Sequence, residues 1–158
     1  MFCIFSIALI FLSSCASTEH VDNKYIEDKA TMMMECIVNE DAEELFAFYS
    51  DYMKENYKNE SLKEIQQIFD YIDGNIVLYE YQGKGGGMET IHDGKVYYCT
   101  CYPGFEFTTD NNNTYKIDLS LYYVWNEYPE GEGLHMIEVW RDGDLSTKLV
   151  IGKNYEKD

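Results

Sequence analysis

Positive charge is scarce in this chain. It contains 12 lysines and arginines against 29 aspartates and glutamates, which gives a formal net charge of -17 at pH 7. Such a surface repels nucleic acid phosphates and anionic lipid headgroups. The composition therefore argues against nucleic acid as a partner and keeps the folded domain away from a bilayer. Solubility is the first explanation of the acidity, and attraction of a cationic partner is the second.

A membrane-spanning segment is also missing from the start of the chain. The apolar stretch of residues 2–12 is shorter than the run of about 20 apolar residues that crosses a bilayer as a helix. It passes into Leu12-Ser13-Ser14-Cys15, which has the form of a bacterial lipobox. The pattern predicts a cleaved signal peptide over residues 1–14 and a lipid, such as palmitate, on Cys15. No positive residue opens the segment, so either the start codon lies upstream or the signal is a charge-poor variant.

The lipobox predicts where the protein works. Removing 14 of the 158 residues leaves 144, which is the size of one domain. We expect a lipidated tether over residues 15–23 and a single domain over residues 24–158. The protein would then be extracytoplasmic, on the bacterial cell surface, with the lipid on Cys15 as its contact with the cell membrane. The alternative is that residues 2–12 form a buried strand or helix and Cys15 is an ordinary thiol.

Cysteine pairs with metal-binding spacing are absent. Cys3 leaves with the signal and Cys15 takes the lipid, so Cys36, Cys99 and Cys101 remain. Cys99 and Cys101 are two apart on a predicted strand, a poor spacing for a disulfide between them, whereas Cys36 could bridge to either. No CxxC or Cys/His ligand pattern occurs, so we expect neither zinc nor another metal or cofactor. Buried free thiols are the expected state.

The N-terminal half of the chain has helical periodicity. Asn39 is predicted to be the N-cap of a short helix, and Ser61 and Glu64 form a capping box that predicts a helix start. Asp73-Gly74 is the expected end of that helix. The predicted helical segments cover residues 25–38, 39–49, 50–57 (a turn or short helix) and 61–73.

After Gly74 the pattern becomes that of strands and turns. From Tyr115 to Trp125 the odd-numbered residues are apolar, so one face of the sheet should be covered by the helices. Helices followed by strands predict an α+β fold with N-terminal helices packed on a curved antiparallel sheet. The predicted strands cover residues 75–81, 95–102, 105–109, 114–126, 134–141 and 148–152.

Three segments carry a resemblance to a known family. They are Phe105-Glu-Phe-Thr-Thr-Asp110, Tyr115-Lys-Ile-Asp-Leu-Ser-Leu121 and Gly133-Leu-His-Met-Ile-Glu-Val139. From the lipobox onward the chain resembles an uncharacterised family of Gram-positive cell-surface lipoproteins with a nuclear transport factor 2-like (cystatin-like) cone. The resemblance implies the cone fold and the cell-surface location, and it supplies no active site.

Candidate catalytic and ion-binding patterns are weak. His92-Asp93 lies in a predicted turn, and Asp118 lies opposite the apolar face, in solvent. Residues 83–87 are glycine-rich but lack the Gly-Lys-Ser/Thr ending and the following helix of a phosphate loop, so a flexible hairpin is expected. Residues 110–114 and 142–144 offer oxygen ligands but too few for a calcium loop, so plain turns are expected. We therefore expect no catalytic residues and no enzyme activity.

Aromatic residues on the predicted strands are the remaining feature. Tyr122 and Trp140 lie opposite the apolar stripes, and His135 lies near a strand end, so these three are the candidate ligand-binding residues. The sequence predicts a non-enzymatic module that binds a small molecule or an envelope protein, with a homodimer through the sheet as one expected assembly. The alternatives are an envelope enzyme with an acid–base pair in the cone, and an acidic immunity- or inhibitor-type protein with a cationic partner.

Overall fold

The computed structural model describes residues 20–153, so Cys15 and the predicted signal segment lie outside the described part. Helices come first and an antiparallel, unclosed sheet follows, which confirms the predicted α+β fold. Within residues 20–153, no helix has the length and apolar content needed to span a bilayer. The elements are α1 (Asn23–Val38), α2 (Ala42–Ala47), α3 (Asp51–Tyr71), β1 (Ile76–Gly83), β2 (Gly87–His92), β3 (Lys95–Cys101), β4 (Gly104–Thr109), β5 (Thr114–Trp125), β6 (Gly133–Arg141) and β7 (Asp144–Gly152).

Helix α1 confirms the prediction made from its periodicity. It begins after Asp22, whose carboxylate accepts a hydrogen bond from the backbone N–H of Lys24 at 2.9 Å. Such an N-cap satisfies a donor that the first helical turn leaves without a partner. Of the residues whose spacing predicted a buried face, Ala30, Met33, Met34 and Ile37 are buried. Tyr25, which the same spacing placed on that face, is 57% exposed, and Ile26 is buried in its place.

The two predicted caps in the following helices are wrong. Asn39 ends α1, because its backbone N–H bonds back into that helix, and Asp41 is the N-cap of α2. Ser61 starts no helix; it is buried inside α3, which runs from Asp51 to Tyr71 with a kink at Tyr57. The partner expected for Ser61 is used elsewhere, since the carboxylate of Glu64 accepts a hydrogen bond from the backbone N–H of Gly152 at 3.0 Å. Because α3 continues through Ser61, no helix start is present there for the pattern to cap.

The sheet is built around β5. One edge of β5 pairs with β6 along most of its length. The other edge pairs with β4 near the start of β5 and with β3 near its end. Outside these, β1 pairs with β4, β2 pairs with β3, and β7 pairs with β6. The pairs β1–β2 and β3–β4 are therefore the two arms of one long hairpin that turns at Asp93-Gly94 and bends in its middle.

Residues 83–87 form the bend in one arm, and the predicted hairpin at this position is wrong. A Cβ atom on Gly85, whose φ is +65°, would lie 2.0 Å from the carbonyl oxygen of Tyr102 in the other arm. On Gly87 it would lie 2.1 Å from the carbonyl oxygen of Thr100. The glycines are required because the two arms approach so closely. Strand β2, which follows the bend, was not predicted.

A bulge changes the face to which the end of β5 points. Up to Tyr123, the odd-numbered residues of β5 are buried against the helices, as predicted. Thr100 then pairs with Tyr122 and Cys99 with Val124, which leaves Tyr123 as the extra residue of a bulge. Because an extra residue reverses the alternation of faces, Trp125 lies on the outer face, opposite the helices. The prediction that Trp125 continues the inward stripe is wrong.

The remaining cysteines match their predicted state. Cys36, Cys99 and Cys101 are free and buried. Burial raises the pKa of the Cys36 thiol to about 11 and that of Cys101 to about 12. These thiols are therefore protonated at neutral pH, and they act as small apolar side chains of the core.

Candidate functional site

A groove of about 280 Å³ lies on the outer face of the sheet, where β2, β3 and the end of β5 meet. Its most exposed apolar side chain is that of Met88, at 57%. The bend places β2 beside β3, and the bulge at Tyr123 directs Trp125 into the same surface. We call this surface the aromatic groove; its lining residues are Met88, Thr90, His92, Tyr97, Tyr98, Trp125 and Glu127.

The rings in and beside the aromatic groove form a connected cluster. Trp125 stacks on Tyr122 with ring centroids 4.7 Å apart and an angle of 18° between the planes. Tyr98 stands almost perpendicular to Trp125, at 5.6 Å and 86°. Tyr128 contacts the other side of the cluster at 5.3 Å from Trp125. Pairs of this geometry add about 0.5–1.5 kcal/mol each beyond their area burial, so the cluster holds Trp125 in place.

One carboxylate, that of Glu127, lines the aromatic groove, and a second, that of Glu132, bonds to the backbone of Trp125. Glu127 accepts a hydrogen bond from the hydroxyl of Tyr97 at 3.2 Å. Glu132 accepts one from the backbone N–H of Trp125 at 2.8 Å. Neither glutamate forms an ion pair with any residue between 20 and 153. The aromatic groove therefore combines aromatic rings with the charge of Glu127, whereas the charge of Glu132 lies within electrostatic reach of the Lys29 ammonium.

His135 lies directly beneath this cluster. It is fully buried, and its ring contacts that of Tyr122 at 4.7 Å. Its Nε2 lies 2.6 Å from the carbonyl oxygen of Gly131, and its Nδ1 lies 3.2 Å from that of Lys153. Burial lowers the pKa of His135, against the opposing effect of the two carbonyl contacts. Each ring nitrogen faces a backbone carbonyl, and the neutral ring donates a hydrogen bond to one of the two. His135 therefore supports Tyr122 from below and presents no nitrogen to a ligand.

Trp140, the third candidate, lies at the other end of the outer face. It pairs with Lys116 across β5 and β6, whereas Tyr122 pairs with Gly133. Six residues of strand separate the two positions, which corresponds to about 20 Å. The ammonium of Lys148 lies 5.1 Å above the Trp140 ring. The structure thus brings Tyr122 and His135 together and places Trp140 apart from them.

The acidic candidates of the sequence lie near Trp140. Asp118 faces Glu138 across β5 and β6, and it is half-buried where solvent exposure was expected. Burial, followed by the charge of Glu138, raises the pKa of Asp118. Lys148 pairs with Glu138 at 2.5 Å. In the part of the chain that the structure describes, no three His, Cys, Asp or Glu side chains are placed to hold a metal.

A second cavity, of about 230 Å³, lies on the inner side of the bend. Its walls include the thiol-bearing Cys99 and Cys101 and the carboxylate of Glu89. Glu89 fastens the start of the domain, because it accepts from the backbone N–H of Val21 at 3.0 Å and lies 2.6 Å from His20. The N–H of Val21 and the His20 side chain lower the pKa of Glu89. The carboxylate is thus engaged in holding the chain together.

Sequence reasoning missed most of the aromatic groove. Met88 and Thr90 belong to the strand that was not predicted, and Glu127 follows β5 without any pattern of its own. Tyr97 and Tyr98 are recognisable only as aromatic strand residues. One signal was available: Tyr97, Tyr98, Tyr122 and Trp125 concentrate aromatic side chains on two strands that pair with each other.

A comparison with protein families identifies the family of the chain. A family model described as a domain of unknown function, DUF5104, matches residues 32–143. This range is most of the chain and includes every residue that lines the aromatic groove. The chain belongs to the DUF5104 family. No curated protein matches the sequence.

Proposed function

We propose that this protein is an extracytoplasmic binding module, held at the cell membrane by a lipid on Cys15, that takes its ligand in the aromatic groove. The proposal depends mainly on the groove itself, which has aromatic rings and the carboxylate of Glu127 on the sheet face opposite the helices. Ligand sites in proteins are typically concave and apolar, with a few fixed polar groups that orient the ligand. The aromatic groove has this composition.

Binding fits the chemistry of the described residues better than catalysis does. A general base needs a nitrogen or carboxylate within reach of the substrate and with a pKa near the working pH. Both nitrogens of His135 face backbone carbonyls, and burial keeps the Cys99 and Cys101 thiols protonated. The groove therefore offers surfaces for stacking and one carboxylate for orientation, which are features of recognition.

The location and the fold class rest on two further observations. The lipobox is followed by the small and polar residues 16–22, which suit a tether between a lipid and a domain. The bent sheet packed on N-terminal helices supports a likeness to the nuclear transport factor 2-like cone, and with it to the Gram-positive lipoproteins of that fold.

The anchor is tested by Cys15→Ala expressed in the native host. We expect radiolabelled palmitate to label the unaltered protein and Cys36→Ala alike, and Cys15→Ala to lose the label and leave the membrane fraction. Cys36 is the matched control because it is buried in the domain. Membrane retention of Cys15→Ala would overturn the lipid anchor.

The ligand site is tested by native mass spectrometry of the protein isolated under mild conditions from its host's envelope. We expect an adduct on the unaltered protein and on Trp140→Ala, and its loss from Trp125→Ala. The two tryptophans lie on the same sheet face but at opposite ends, so each controls for the other. If Trp125→Ala retained the adduct, the ligand would bind outside the aromatic groove and the proposal would be wrong.

A further inference from the structure

We infer that the aromatic groove binds an alkylammonium cation, either a quaternary ammonium group or the side-chain amine of a lysine, with Glu127 as its counter-charge. This inference rests on the proposed function, since it names the ligand class of the same site.

The shape of the aromatic groove suits a cation. An ammonium group is attracted to the face of an aromatic ring, and tryptophan is the strongest partner. Tyr98 and Trp125 stand at 86° to each other, and His92 and Tyr97 at 56°. Rings at such steep angles form walls around a small volume, as in the aromatic cages that bind quaternary ammonium groups. Flat rings in one plane would suit a planar ligand instead.

The charge of the aromatic groove selects a cation over a neutral ligand. Glu127 forms no ion pair within the described residues, and the hydroxyl of Tyr97 holds its carboxylate beside the rings. The net charge of -17 adds a negative potential around the whole domain, which concentrates cations and repels anions. A sugar could stack on the same rings, but it would gain nothing from this potential.

The chain already uses the same interaction at other positions. The ammonium of Lys153 lies 4.2 Å above the ring of Tyr57, that of Lys148 lies 5.1 Å above Trp140, and that of Lys29 lies 5.3 Å above Tyr123. Two of these lysines also pair with a glutamate, Glu60 and Glu138 respectively. Ring plus carboxylate is therefore a cation-binding unit in this protein, and the aromatic groove provides that unit to an external ligand.

The experiment uses tryptophan fluorescence of the full chain in a polyoxyethylene detergent, which carries neither a sugar nor a cation. The chain has 2 tryptophans, so Trp140→Phe leaves Trp125 as the only reporter. The probes are choline, its neutral isostere 3,3-dimethylbutan-1-ol, Nα-acetyl-lysinamide and N-acetylglucosamine. Choline and the lysine derivative distinguish the two sources of the ammonium group.

We expect choline or the lysine derivative to change the Trp125 emission in a saturable way, and the neutral isostere to bind about tenfold more weakly. Glu127→Gln should weaken cation binding by a similar factor and leave binding of the isostere unchanged. The control is Glu106→Gln, since Glu106 lies on the same sheet face at the Trp140 end and pairs with Lys116. Affinity should fall as salt rises.

Equal binding of choline and its neutral isostere would overturn the inference, because the site would then be merely apolar. Binding of N-acetylglucosamine without either cation would also overturn it, yet it would leave the proposed function standing. If no probe binds while Trp125→Ala still loses the native adduct, the ligand is of another class and the inference fails alone. If no probe binds and Trp125→Ala retains the native adduct, both proposals fail.

Discussion

The two ends of the outer sheet face carry one tryptophan each, and they differ in how their charges are paired. At the Trp140 end, Lys116 pairs with Asp142 at 2.9 Å and with Glu106 at 3.6 Å. Lys148 covers the ring of Trp140 and pairs with Glu138. At the Trp125 end, the carboxylate of Glu127 accepts a hydrogen bond from the neutral hydroxyl of Tyr97 and forms no ion pair within residues 20–153.

The difference shows how one sheet face can hold a structural surface and a binding surface side by side. An ion pair within the chain satisfies a carboxylate and covers a ring, so little is left for a ligand to gain. A carboxylate held by a hydroxyl or an amide keeps its full charge. The Trp125 end also depends on the bend and the bulge, whereas the Trp140 end lies on regular strand pairing.

The largest effect should come from the bend that builds the Trp125 end. Gly87→Ala places a Cβ atom 2.1 Å from the carbonyl oxygen of Thr100. Backbone cannot move aside as a side-chain tip can, so we expect a loss of about 3 kcal/mol in the free energy of unfolding. The measurement is urea denaturation followed by circular dichroism.

The matched control lies at the other end. Gly143 has φ +77° and no atom within 4 Å of a Cβ, so Gly143→Ala should cost only the backbone strain of about 1 kcal/mol. If both variants lost the same free energy of unfolding, the close approach of the two arms would not be the reason that glycine is required at the bend.

His135 should make the Trp125 end sensitive to pH. Burial lowers its pKa from the ordinary 6.5 in the folded protein. The unfolded chain therefore takes up a proton first as pH falls, so stability present above pH 6.5 is lost below it. His135→Phe keeps a buried ring and removes the titration. We expect the unaltered protein to lose more stability than this variant between pH 7.5 and pH 5.5.

The difference between the pH profiles of the two proteins isolates the contribution of His135 to stability, because the contributions of the carboxylates are the same in both. Its measurement is the urea midpoint at each pH. Parallel pH profiles would mean that His135 is not held neutral beneath Tyr122, and that the ring cluster does not depend on its protonation.

The regular spacing of apolar residues along a helix or strand could be predicted from the sequence. The irregularities that interrupt this spacing could not. The face of α1 and the inward stripe of β5 follow from regular spacing, and both are confirmed as far as Tyr123. A bulge adds one residue without any mark in the sequence, so the position of Trp125 could not be predicted. Likewise Ser61 and Glu64 form a valid local capping pattern, but α3 begins at Asp51 and runs through Ser61, so no helix start lies there.

The site was harder to predict than the fold because it is assembled at these interruptions. Tyr122 and His135 were singled out by alternation, and they lie together. Trp140 satisfies the same alternation but belongs to the other end, since alternation gives the face of a strand and not the position along it. Glu127 lies just after β5, and the hydroxyl of Tyr97 in β3 holds its carboxylate. No local sequence pattern predicts a contact between residues so far apart in the chain.

The smallest effect, and the sharpest test of the comparison, should come from Lys148→Met. The variant removes the ion pair with Glu138 and uncovers the ring of Trp140. Because such pairs near the surface contribute about 0.2–1 kcal/mol, its loss of stability should not exceed that range. The charge of Lys148 also lowers the pKa of Asp118, so that pKa should rise further. The Trp140 end would then resemble the Trp125 end, because each would carry a tryptophan ring and a glutamate that forms no ion pair within residues 20–153. In a Trp125→Phe background, Trp140 emission should respond to choline only when Lys148 is replaced.

Lys116→Met is the control, since it breaks the pairs with Glu106 and Asp142 and leaves Lys148 above the ring. A choline response that is absent from Lys148→Met, or present in both variants, would mean that internal charge pairing is not what separates the two ends.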